Sequence, residues 1–101
     1  MMQAADVGHV IEQLKALMGA GPGSNPEALR QAEAILARIR QAATLTTYTA
    51  EKVAAVADGF RTWLSAGGGQ QAFAVEEFRS ILQRDIDKLR HALARRSEGQ
   101  D

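Results

Sequence analysis

Apolar residues recur along this chain at spacings of three and four, with polar residues filling the positions between. Val7, Val10, Ile11, Leu14, Leu17 and Met18 form the first such stripe. That spacing gathers side chains on one face of an α-helix and predicts a helix over 3–18. Gly19-Ala20-Gly21-Pro22-Gly23 stops it, because glycine followed shortly by proline ends a helix. Asn25 is a good N-cap for the next segment, with Pro26 at the first helical position and Glu27 on the favourable end of the dipole. Leu29, Ala32, Leu36, Ile39 and Ala43 then repeat as in a coiled-coil seam, widened by Ile35, and predict a helix over 26–43.

Thr44 to Thr49 is the least helical stretch. Branched side chains lose rotamer freedom in a helix, and threonine hydroxyls compete for backbone bonds. The expectation is a turn, with Thr47 or Thr49 capping a helix over 50–66. Val53, Val56, Ala57, Phe60, Trp63 and Leu64 form the apolar face of that helix. Gly59 inside it is either a close-packing point or a weak spot. Gly67-Gly68-Gly69 ends it as a hinge. The last helix is expected over 71–96, with Val75, Phe78, Leu82, Ile86, Leu89 and Leu93 on its stripe and Phe73 and Ile81 at the margins. Asp85 and Asp87 can pair with Lys88 and Arg90 one turn on. Residues 97–101 read as a frayed, disordered tail.

The pattern thus predicts an all-α protein: a small three- or four-helix bundle with a long C-terminal helix and an antiparallel hairpin around the glycine-rich turn. Residues 1–96 form one helical domain. At about 1.5 Å per residue the last helix reaches about 38 Å and overhangs any shorter neighbour. A chain of 101 residues buries only roughly 60–65% of the surface it exposes when unfolded, so its core is thin. Thin core and overhang together lead us to expect a second chain, as a homodimer or in a hetero-complex.

Twelve Lys and Arg balance twelve Asp and Glu. Zero net charge argues against generic coating of nucleic acid, because each neutralised phosphate needs a cation. A local basic stripe survives the balance on the last helix: Arg84, Lys88, Arg95 and Arg96. The chain has no cysteine, which removes disulfides, thiolate nucleophiles and thiolate metal sites. With no secretory signal pattern and no apolar run long enough to span a bilayer, the expectation is a cytoplasmic protein.

Candidate chemistry is sparse. His9 has Asp6 and Glu12 one turn away on either side, and His91 has Asp87 four residues earlier. A di-iron bundle needs Glu-x-x-His twice with further glutamates, and the chain does not supply it. No strand-turn-helix elbow presents Ser24, Ser65, Ser80 or Ser97 as a nucleophile. Gly67-Gly68-Gly69 is followed by Gln70 and Gln71, not by the Gly-Lys-Ser/Thr of a phosphate loop. Tyr48 to Gly59 resembles the start of a helix-turn-helix unit, with Ala55 four residues before Gly59. A recognition helix should then run about eight residues more. Phe60 to Ala66 is instead short and apolar, with Arg61 its only base.

Phe60, Trp63, Phe73 and Phe78 bracket the glycine hinge. Folding the third helix onto the fourth brings these rings together, as a core plug or as a partner-binding pocket, since Trp and Phe anchor interfaces. The leading expectation is therefore a non-enzymatic protein–protein interaction module, such as a small regulator, adaptor or chaperone, oligomeric and with no cofactor or small-molecule substrate. The alternative is a nucleic-acid-associated regulator using the basic stripe. The third is a helical metal-binding or enzyme subunit.

Overall fold

The structure, a computed structural model, describes residues 4–42, 45–65 and 72–98, with side chains described for 6–41, 45–65 and 75–94. Four helices follow one another: α1 (Ala4–Met18), α2 (Pro26–Ala42), α3 (Thr47–Trp63) and α4 (Ala72–Glu98). The expected Gln3, Ala43, Ala66 and Gln71, and the glycine hinge itself, lie outside the described residues.

Contacts fix the helix directions. The N-terminal residue Asn25 of the α2 cap lies against Leu64 at the end of α3, so these two helices run antiparallel. Met18, at the end of α1, lies against Trp63 at the end of α3, so α1 and α3 run in the same direction. Trp63 stacks on Phe78, and Gly59 faces Leu82, so α4 returns antiparallel to α3. The result is an up-down-up-down bundle in which each helix packs on two neighbours. The bundle measures 46 × 23 × 21 Å. Its α3–α4 and α1–α4 seams are the most extensive, and the α1–α2 seam is the thinnest.

The predicted stripes fill the core. Ile11 and Leu14 from α1, Leu36 and Ile39 from α2, Val53, Val56, Phe60 and Trp63 from α3, and Leu82, Ile86 and Leu89 from α4 are fully buried. Alanines at 28 and 32 let α2 approach its neighbours closely. Gly59 proves to be a close-packing point: a Cβ there would come within 2.6 Å of Leu82 Cδ1.

Three expectations need correction. First, α3 begins at Thr47 and is capped by Thr46, not by Thr47 or Thr49. Thr46 Oγ1 accepts the Thr49 N–H at 3.1 Å and donates to Thr49 Oγ1 at 3.0 Å. Thr49 is buried, so its hydroxyl needs a partner, and Thr46 supplies it. At the other end Leu64 is the C-cap rather than a helical residue. Second, α4 runs through Ser97 and Glu98, which were expected in the tail; Gly99 is the first helix-breaking residue after them. Third, Asp87 does not pair along α4. It faces α1, where Lys15 Nζ lies 3.1 Å from its Oδ1, an ion pair by distance although off the hydrogen-bond angle.

Two helix C-termini cap one another. The last carbonyls of a helix lack intrahelical donors. Here the Met18 carbonyl accepts the Gly21 N–H at 3.2 Å and the Trp63 indole N–H at 2.8 Å. In return, the Trp63 and Leu64 carbonyls accept the N–H groups of Gly23 and Asn25 at 2.9 and 3.0 Å. Asn25 Oδ1 then accepts the Ala28 N–H and opens α2. The α1–α2 loop is thereby bolted to the end of α3.

Candidate functional site

Phe60 and Trp63 come from the inward face of α3, and the bundle's own core covers both; Trp63 is 1% exposed. Its indole is held by the Met18 carbonyl and stacked on Phe78, with ring centroids 5.9 Å apart and planes within 4°. The Arg79 guanidinium sits 5.5 Å from the Trp63 ring centre, within cation–π range. Gly21 closes the far side: a Cβ there would meet Trp63 Nε1 at 2.6 Å. Phe78 is half-buried. The side chain of Phe73 lies outside the described residues. Phe60, Trp63 and Phe78 therefore contribute to the chain's own packing.

Arg84 and Lys88 are exposed one turn apart on α4, and neither has an ion pair among the described residues. Arg90 shares that condition. The side chains of Arg95 and Arg96 lie outside the described residues. His9 and His91 are both exposed, and no group of three or more His, Cys, Asp or Glu able to hold a metal is found among the described residues. No helix among the described residues is long and apolar enough to cross a membrane.

A different surface emerges from the packing. Only two large apolar side chains are exposed among the described residues: Tyr48, at 52%, and Ile81, at 47%. Tyr48, Lys52, Ala55 and Gly59 recur by four, three and four on α3. Gly59 faces Leu82, so this row runs along the α4 side of α3. On α4, Phe78, Ile81, Asp85 and Lys88 recur by three, four and three. Phe78 stacks on Trp63, so this row runs along the α3 side. Both exposed apolar residues thus belong to one outer face shared by α3 and α4. The Lys52 ammonium lies 5.1 Å from the Tyr48 ring centre and steadies that ring at the surface. The spacing on α3 was present in the sequence, but Tyr48 fell in the stretch read as a turn.

Comparison with protein-family models, with characterised proteins and with solved structures returned no match to this chain.

Proposed function

We propose that this chain is a non-enzymatic helical interaction module whose protein-binding surface is the outer α3–α4 face. The observation that carries the reading is the placement of Tyr48 and Ile81 on one two-helix face. Scattered surface hydrophobics are ordinary. Two on the same face, one of them held by a cation, with small residues between them, make a surface another helix can approach. The aromatic cluster around Trp63 supports the end of this face from beneath. A photo-crosslinking residue at position 81 in the full chain, expressed in its host cells, is expected to trap protein adducts. The same residue at Gln31, exposed on α2, serves as the control. No adducts at 81, or equal adducts at both positions, would contradict the reading.

The unpaired Arg84 and Lys88 favour a second reading, contact with nucleic-acid phosphates. A duplex mobility shift that weakens steeply with salt and is lost in Arg84→Ala/Lys88→Ala would support it. A salt-insensitive or absent shift would remove it.

A further inference from the structure

We infer that Arg84, Lys88 and His91 form a track for the phosphate backbone of a nucleic-acid duplex, and that Lys15 of α1 keeps the track open by holding Asp87 away from it. The inference rests on the nucleic-acid reading above and deepens it, adding a positioning residue on another helix.

Arg84, Lys88 and His91 recur by four and three, so they share one side of α4. All three are exposed, while Leu82, Ile86, Leu89 and Leu93 on the opposite side are buried in the bundle. Like charges one turn apart repel, and an acid alongside relieves the repulsion. Elsewhere on the surface such acids are present: Arg30 has Glu27, Arg61 has Asp58 and Arg79 has Glu76, each on its own helix. Arg38 and Arg40 of α2 have no ion pair among the described residues, but residues two apart do not face each other. Arg84 and Lys88 share a face and also have no ion pair among the described residues.

Two acids lie within a turn of the track. Asp85 sits on the α3 side and makes no ion pair among the described residues. Asp87 is three residues from Arg84 and four from His91, the spacings at which charges on a helix meet. Lys15 diverts it: the ammonium lies 3.1 Å from Asp87 Oδ1, and that oxygen is buried. The acid best placed to neutralise the track is thus committed to another helix.

The chemistry of the track selects its occupant. It carries no apolar side chain, because the apolar stripe of α4 faces the core. A partner helix needs apolar anchors, and a lipid surface needs an apolar face turned towards it. A phosphate backbone needs neither. A duplex carries one negative charge per about 1.7 Å of axis, against one per about 3.4 Å in extended polyglutamate. Arg84 and Lys88 supply cations, and His91 supplies an imidazole N–H donor, within about 10 Å of helix. Two or three phosphate contacts make the binding weak, with a Kd of about 0.1 mM at about 50 mM salt.

The test is fluorescence anisotropy of a short labelled duplex titrated with the full chain, with circular dichroism verifying the fold of every variant. Wild type is expected to lose about tenfold in affinity between about 50 and about 200 mM salt. Arg84→Gln with Lys88→Gln is expected to remove most of that salt dependence. Lys15→Met is expected to weaken binding roughly twofold to fivefold, the strength of a half-exposed ion pair, and Lys15→Arg to bind as wild type does. The decisive arm is Asp87→Asn. It is expected to restore wild-type affinity to the Lys15→Met chain, and to gain more there than in the wild-type chain. A carboxylate acting only as a distant charge would give equal gains in both backgrounds. Equal gains would overturn the inference about Lys15, while the nucleic-acid reading would stand on the loss of salt dependence in the Arg84→Gln/Lys88→Gln chain. No binding by wild type, or an unchanged salt dependence in that double variant, would overturn both. Polyglutamate or anionic vesicles bound as tightly as the duplex would overturn the choice of occupant.

Discussion

Trp63 is held on every side: by a hydrogen bond to Met18, by the Phe78 ring, and by a glycine that leaves room for the indole. Removing the ring leaves a large cavity and takes one of two donors from the Met18 carbonyl, so Trp63→Ala is expected to cost about 3–5 kcal/mol in chemical denaturation. A binding defect in that variant would therefore report lost structure rather than a lost contact surface. The glycines make a sharper comparison. Gly21→Ala drives a methyl into the rigid indole and is expected to destabilise by about 1–3 kcal/mol. At Gly8, an exposed position of α1, an added methyl meets nothing within 4 Å, and Gly8→Ala is expected to stabilise by about 0.5–1 kcal/mol. The same substitution at two glycines thus changes sign with the environment, and paired urea titrations measure both.

The helices themselves were readable because their apolar stripes are strongly periodic. Val53, Val56, Phe60 and Trp63 could be assigned to one buried face from spacing alone. The start of α3 could not be placed, because several nearby threonines offer the same capping hydroxyl. Only the burial of Thr49 selects Thr46, and burial depends on helices far away in sequence. Thr46→Ala removes the cap and leaves the Thr49 hydroxyl without its partner. It is expected to cost about 1–2 kcal/mol and to increase amide exchange in the first turn of α3. The partner of Asp87 was hidden for a related reason. An acid on a helix has candidate bases one turn away on its own helix, and spacing does not show that a neighbouring helix brings Lys15 closer.

At the scale of the whole molecule, the candidate site was legible in part. The meeting of Trp63 with Phe78 was legible, but not whether such rings serve the core or a partner, since apolar residues destined for the chain's own core look the same in sequence as those destined for a partner. Trp63 and Phe60 went to the core; Tyr48 and Ile81 stayed outside, one in a stretch that read as a turn and the other at a stripe margin. The length of α4 matters here too. Phe78 is level with Trp63, so α4 runs about 9 Å beyond the last helical residue of α3 and carries Val75 with it. The central claim is that contact is made through the outer α3–α4 face. The most direct measurement is photo-crosslinking in host cells from a probe placed singly at Tyr48, Ala55 or Ile81 and, as controls, at Glu12 of α1 or Gln31 of α2, both exposed. The account predicts protein adducts from the three α3–α4 positions and far fewer from the controls. No adducts from the α3–α4 positions, or equal adducts from α1 and α2, would contradict it.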